Sequence, residues 1–450
     1  MNKSIITFFT LIISISLFAK SGKIVLIGQI ENHLGTTIMI THLNNRELVS
    51  AELDADGKFE MYTKLESGFY FLKYGRNTAY IYLYPKDKLN LVFDAKNFET
   101  SMVFEGQGSE RNNYLVKKSI VDAELTEDLE AFYKVDEATY LKNIDDVKMT
   151  HLALLSKYNV EPFFTSAETK SLEYERLLSI QNFKTSYKFY LGDDISPSDD
   201  FYKPLEVIDE TDVSDYKAQP YFRYLVNSAW NKRIEAASDV DGMLKVFRKI
   251  PSQDLAITLL NGFYSKISSN KERSKDYLDL IKRLTTHQPF IDAAEKQYQE
   301  VTNSKGLNEG DDSPTFSYES VDGKTISLSD LKGKYVYIDI WATWCGPCIK
   351  QVPYLKHLEE RYHDRNIVFV SISVDKENVK EKWKQMIVDK ELGGVQLFAD
   401  KSFDSDFMNA YAVNSIPRFI LINPEGKIVN LEAPRPSFDK TKVLLDELLK

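Results

Sequence analysis

The two cysteines of this 450-residue chain stand three apart, in the run Trp344-Cys345-Gly346-Pro347-Cys348. The residues before them, YVYIDIWAT, read as a buried strand, and apolar residues recur at helical spacing after them. A strand that ends in a Cys-x-x-Cys turn and continues as a helix narrows the options for this part of the chain. The turn brings two sulfurs within disulfide reach, and the unpaired N–H groups and dipole of a helix start favour the first cysteine as a thiolate. Pro347 suits the place, because proline holds φ at about −65° where a missing N–H costs nothing. The pattern points to thiol–disulfide exchange, in which the thiolate attacks.

Other uses of the pair fit less well. A structural zinc site takes four ligands, and no second cysteine pair exists. The six histidines, His33, His42, His151, His287, His357 and His363, show no ligand spacing near the cysteines. A purely structural disulfide closing so short a loop would constrain the unfolded chain little. No cofactor or metal is expected, and the redox group is the cysteine pair itself.

The N-terminus carries Lys3, an uncharged, largely apolar run from Ile5 to Ala19, then Lys20. This is a signal-peptide pattern over residues 1–20, too short to span the roughly 30 Å hydrocarbon core. Cleavage is expected between Ala19 and Ser21. No cysteine lies there to carry a lipid. The expected location is the periplasm or cell envelope. A net charge of −10, with no basic stripe interleaved with aromatics, argues against a nucleic-acid partner.

Residues 22–105 show short alternating runs such as KIVLIGQI, GFYFLKYG and KLNLVFD, divided by turn signals at Asn44-Asn45 and Asp54-Ala55-Asp56-Gly57. Seven or eight strands in an antiparallel β-sandwich are expected. Residues 110–304 turn to helical periodicity, with breaks at Glu161-Pro162, Ile195-Ser196-Pro197 and Ile250-Pro251-Ser252, and form an all-α domain. Residues 305–313 read as a linker. Over 314–450 strands alternate with helices, which implies an α/β sheet covered on both faces. The chain is therefore read as multidomain.

Residues 310–450, about a third of the chain, resemble the TlpA/ResA-like thiol-disulfide oxidoreductases of the thioredoxin superfamily. The resemblance rests on YIDIWATWCGPCIKQVP, on SPTFSYESVDGKTISLSDLKGKYV before it, and on Ser415-Ile416-Pro417 near the end. The β and helical lead-in is similar to larger members of this family from Bacteroidota. The resemblance implies a thioredoxin-like fold and a role for each matched residue. Cys345, the more exposed cysteine, attacks a substrate disulfide, and buried Cys348 resolves the mixed disulfide. Trp344, Gly346 and Pro347 shape the turn, while Trp341 packs nearby. Pro353 kinks the helix. Asp339 matches the buried acid that exchanges a proton with the second cysteine. Ile416 and Pro417 match the cis-proline site that pairs with an extended substrate. The chain departs from thioredoxin at Ser371, where a lysine partner for Asp339 would stand. It departs from ResA at Gly346, which takes the place of an acid in the turn. Arg418, where threonine is frequent, is expected to favour acidic peptides.

The implied partners are protein substrates bearing disulfides and a membrane thiol-disulfide electron donor, because an exported protein is beyond the reach of cytosolic thioredoxin reductase. Two other readings compete with a reductase. One is a scaffold whose first 280 or so residues capture a partner, with the redox domain subordinate. The other is a thiol peroxidase, but Ile338 and Ala342 occupy the places where peroxiredoxins carry proline and threonine or serine.

Overall fold

The computed structural model describes residues 23–33, 35–303 and 306–450, so the leader expected over 1–20 lies outside the described residues. The chain divides into two compact units. One holds the described residues up to Tyr298 except Leu191–Asp194. The other holds Leu191–Asp194 and the chain from Gln299 onwards.

The first unit opens with eight strands: β1 Ile24–Glu31, β2 Thr37–Thr41, β3 Glu47–Glu52, β4 Lys58–Thr63, β5 Gly68–Tyr74, β6 Asn77–Leu83, β7 Lys88–Asp94 and β8 Val103–Gln107. They form two four-stranded sheets, ordered β4-β1-β7-β8 and β3-β2-β5-β6. Whereas β5 is buried on both faces, alternation buries one face of strands such as β4, where Phe59 and Met61 point inward. Together with Leu26, Ile38, Ile40, Leu72, Ile81, Leu91 and Phe93 they make one core. Every ladder is antiparallel except β1 with β7, which run parallel. At the turn into β4, Asp54 accepts from the N–H groups of Asp56 and Lys58 at 2.9 and 2.8 Å. Gly57 there has φ +75°, and a Cβ would run into the Ile30 carbonyl.

Helix α1, Ser109–Leu125, follows β8 directly. Two adjacent asparagines on it meet one outer strand of each sheet, β6 and β8. Asn112 Oδ1 accepts from the Tyr82 N–H at 2.9 Å, and its Nδ2 donates to the Tyr82 carbonyl at 3.1 Å. Asn113 does the same to Phe104, at 2.8 Å in both directions. Each side-chain amide thus occupies the place of a neighbouring strand's backbone on β6 and β8. Three of the later helices begin at the breaks expected from the sequence. Pro162 opens the helix Pro162–Leu191, and the Ser198 and Ser252 hydroxyls cap the helices Asp199–Tyr202 and Gln253–Ser269. Their inward faces pack as aromatic-rich clusters, Tyr140 with Phe183 and Phe201 in one, Trp230 with Phe263 and Tyr277 in another.

The second unit contains a seven-stranded sheet: β9 Ser317–Ser320, β10 Thr325–Ser327, β11 Tyr335–Trp341, β12 Ile367–Ser373, β13 Val395–Phe398, β14 Arg418–Ile422 and β15 Ile428–Asn430. Their order is β10-β9-β13-β12-β11-β14-β15. β11 runs parallel to β12 and antiparallel to β14, and β12 runs parallel to β13. Helices α2 Gly346–Ile349, α3 Val352–Tyr362, α4 Lys380–Asp389 and α5 Asp439–Leu448, with a short helix Asp406–Ala410, accompany it. One face of β11 sends Ile338 and Ile340 into a core with Val370, Ile372, Trp383 and Phe407. The other face sends Tyr337 against Leu355, Leu358 and Leu445. Burial on both faces explains the near-continuous apolar run of this strand. The fold is the thioredoxin-like α/β class expected for this part.

Candidate functional site

β11 delivers the chain into the cysteine turn at the carboxyl end of the parallel strands, where open α/β sheets place their sites. Cys345 is the N-cap of α2, and Pro347 falls within its first positions. The pair is closed as a disulfide with the two Cα atoms 5.2 Å apart, within the usual span for a bridge. The Cys348 N–H points at Cys345 Sγ, 3.2 Å away. The expected contrast in exposure between the two is not seen. Cys345 and Cys348 are 4% and 3% exposed, because the closed bond draws both side chains into one turn. Trp344 beside them is 43% exposed, whereas Trp341 is buried.

The helical stretch after the turn is interrupted. α2 ends at Ile349, and α3 restarts at Val352 with Pro353 in its first turn. A proline tolerates that position because its missing N–H would have no intrahelical acceptor. Gln351, between the two, is buried, and its Oε1 accepts from the Ser437 N–H at 3.1 Å.

Asp339 lies on β11 two residues beyond Tyr337, on the face that α3 covers. It is buried, and its Oδ1 has no hydrogen-bond partner. Desolvation pushes its carboxyl up to about 8, and the Glu359 charge adds to the rise against a lowering hydrogen bond from Ser371. Glu359, on α3, is itself pushed up to about 7, first by desolvation, with Lys356 acting in the opposite direction and Glu360 adding to it. Ser371 is the register neighbour of Asp339 on β12.

The Ile416–Pro417 peptide is cis. It directly precedes β14, whose first residue, Arg418, pairs with Ile340 near the end of β11. The antiparallel register therefore brings Ile416 and Pro417 to the same end of the sheet as the cysteine turn. Arg418 itself gives no free cation to a groove. Its Nε donates to the Leu431 carbonyl at 3.0 Å and its Nη1 pairs with Glu432. The expected bias towards acidic peptides has no support in this arrangement.

Sequence reading missed the residue that ties down the approach to Cys345. Asp375, just past β12, is 1% exposed. It accepts from the Thr343 N–H at 2.8 Å, the Thr343 hydroxyl at 3.0 Å and the Ser373 hydroxyl at 2.9 Å. The Val374 N–H adds a bond to the Trp341 carbonyl at 2.9 Å. Glu359 was missed too, although its spacing was informative. Leu355, Leu358 and Tyr362 mark the inward face of α3, and Glu359 falls on the same side.

Residues 308–444 match the Redoxin family model. Over 127 residues the chain is 35% identical to the thiol-disulfide oxidoreductase ResA of Bacillus subtilis (strain 168), a match covering 28% of this chain and 68% of that protein. ResA of Bacillus thuringiensis subsp. konkukian (strain 97-27) is 28% identical over 149 residues, 33% of this chain and 81% of its own. Among solved structures, the thioredoxin domain of a thiol-disulfide oxidoreductase from Bacteroides vulgatus is 29% identical with a TM-score of 0.30, covering 32% of this chain and all of that domain (100%).

Proposed function

Because the chain belongs, through its C-terminal domain, to the ResA-like thiol-disulfide oxidoreductases, we propose that it is an exported reductase of protein disulfides. The observation that carries this reading is the buried Cys345–Cys348 pair at a helix start, with the Cys348 N–H directed at Cys345 Sγ at 3.2 Å. When the bond opens, that N–H and the helix dipole stabilise a thiolate on Cys345.

The Cys345 thiolate attacks one sulfur of a substrate disulfide. The substrate S–S bond breaks, its second sulfur leaves as a thiolate, and a mixed disulfide forms. Asp339, in the fraction that is ionised despite its raised pKa, then takes the proton of Cys348. The new Cys348 thiolate attacks Cys345 Sγ, the substrate's remaining sulfur leaves, and the Cys345–Cys348 bond closes. Two electrons have passed to the substrate. Trp344, Gly346, Pro347, Ile416 and Pro417 form the turn and groove against which the substrate chain lies. A membrane thiol-disulfide donor returns the electrons.

The leader pattern over residues 1–20 supports export. No helix among the described residues is long and apolar enough to cross a membrane. The direction of electron flow is tested by the reduction potential of the pair, followed by tryptophan fluorescence with a Cys345→Ser control. A reductase is expected near the value of about −270 mV typical of thioredoxin. A value above about −180 mV, in the range of isomerases and oxidants, would reverse the proposed direction.

A further inference from the structure

In the first unit, the hairpin between β2 and β3 meets helix Pro220–Glu235 and helix Gln253–Ser269 around a cleft of about 520 Å³. Ligand sites commonly have this size. The chain carries a net charge of −10, yet among the described residues no aspartate or glutamate lines this cleft, whereas Arg46 and Arg223 both do.

The polar groups that the lining leaves over are donors. Asn44 Oδ1 accepts from the Arg46 N–H at 3.1 Å, Asn45 Oδ1 from the Lys73 ammonium at 2.6 Å, and Asn227 Oδ1 from the Tyr216 hydroxyl at 2.8 Å. Each of the three oxygens is thus engaged within the chain, while the three Nδ2 groups make no hydrogen bond among the described residues. What these amides have left to offer a ligand is chiefly N–H. Arg223 is in a similar state. Its Nη1 donates to the Tyr216 carbonyl at 3.2 Å and to Asp254 at 2.7 Å, and its Nε and Nη2 have no partner among the described residues. The side chain is buried, with its guanidinium 4.4 Å from the Tyr216 ring centroid. The Arg46 guanidinium is exposed and forms neither a hydrogen bond nor an ion pair among the described residues.

Both arginines act on one point. The His42 imidazole, in the same hairpin as Arg46, is held below its usual pKa by burial first and then by Arg223, with Asp254 opposing and Arg46 adding. Asp254 is the acid nearest to this balance, and it meets Arg223 at Nη1. Lys73, whose ammonium stands 5.9 Å from the Phe71 ring centroid, puts a third cation beside the cleft. Phe71 and the exposed Tyr224 and Ile257 supply an apolar wall.

We propose that this cleft binds a small organic oxyanion, a carboxylate or a phosphate monoester on an apolar body, with its charge on Arg46, Arg223 and the asparagine N–H groups and its body against Phe71, Tyr224 and Ile257. The fork of a guanidinium matches the oxygens of either group, and such charge-assisted hydrogen bonds are the stronger kind. Placement beside an apolar wall, away from bulk water, strengthens them further. The site is independent of the cysteine pair and of the reading of that pair as a reductase.

Saturation-transfer NMR on the full chain tests this with three probes: 3-phenylpropanoate, phenyl phosphate, and 3-phenylpropanamide, which keeps the body of the first without its charge. At least one anion is expected to bind with a Kd of about 1 mM or tighter. The uncharged amide should bind about tenfold more weakly or worse, the loss of a hydrogen bond between charged groups. The tighter of the two anions identifies which oxyanion the site prefers. Arg46→Gln removes an exposed cation, and Ile257→Glu sets a negative charge in the wall at an exposed helix position. Each should weaken anion binding by about tenfold, with the melting temperature of the variant reporting that its fold is kept. Equal affinity for the anions and the amide overturns the proposal, as does unchanged anion affinity in both variants. Absence of transfer to either anion at about 10 mM overturns it as well.

Discussion

The Asp375 carboxylate grips Thr343 twice, through the backbone N–H at 2.8 Å and through the hydroxyl at 3.0 Å. This joins the end of β12 to the loop that carries Cys345, two residues on. A buried carboxylate with this many donors acts as a fixed anchor for a stretch that has no regular structure of its own.

Asp375→Ala would leave the Thr343 N–H and hydroxyl and the Ser373 hydroxyl without their shared acceptor. Stranding buried donors in this way is expected to cost about 2–4 kcal/mol. The urea midpoint of the tryptophan signal should fall accordingly. An unchanged midpoint would show that the loop is held by other contacts.

Asp339 makes the opposite contribution at neutral pH. An unfolded chain ionises an aspartate at about 3.9, whereas burial keeps this one protonated up to about 8. Below the unfolded value both states hold the proton and nothing is lost. As pH rises between the two values the unfolded chain sheds a proton that the folded chain keeps, so stability falls, and the loss is complete above about 8. Asp339→Asn is therefore expected to stabilise the fold by about 2–4 kcal/mol near neutrality and by little at acid pH. The same variant should slow resolution of the mixed disulfide. Urea titrations of both proteins at several pH values check the first point. Equal stability of variant and parent throughout would mean that Asp339 is not held neutral.

The roles of the two cysteines separate by mass spectrometry. Cys348→Ser is expected to accumulate a covalent adduct with a disulfide-bearing protein, released by dithiothreitol. Cys345→Ser should form none. Adducts on Cys345→Ser at the parent rate would exchange the two roles.

Trp344 offers 43% of its surface next to the turn, while Trp341 and Trp383 are 2% and 0% exposed. Trp344→Ala should raise KM for a protein disulfide by about three- to tenfold, the share of one aromatic anchor. Reaction with dithiothreitol, which needs no docking surface, should change less than about twofold on the same scale. A parallel change in both rates would place Trp344 in support of the turn.

The alternation of strand and helix in the last third was legible because β11 and β12 are buried on both faces and so appear as near-continuous apolar runs, broken only by Asp339, Ser371 and Ser373. The cysteine turn was legible because its four residues are contiguous. The parallel pairing of β1 with β7 was not. Those strands are some sixty residues apart, and which distant edges meet is settled by core packing, which local alternation does not encode. Asp375 and Glu359 escaped for a related reason. Each looks like an ordinary surface acid until the fold brings a distant segment against it, Thr343 in one case and Gly393 in the other. Arg418 erred the other way. Its charge was visible, but its neutralising partner Glu432 lies across a hairpin.

Asn112 and Asn113 have a consequence beyond the fold of one molecule. The outermost strand of a sheet is where a second chain adds itself, and repeated addition builds aggregates. One turn of one helix occupies one pairing position on an outer strand of each sheet at once, since Tyr82 and Phe104 already have their N–H and C=O groups taken. Both closures depend on the same short stretch. Loosening it would bare a pairing position on β6 and on β8 together, so that two sheet borders would open to a second chain through one local change.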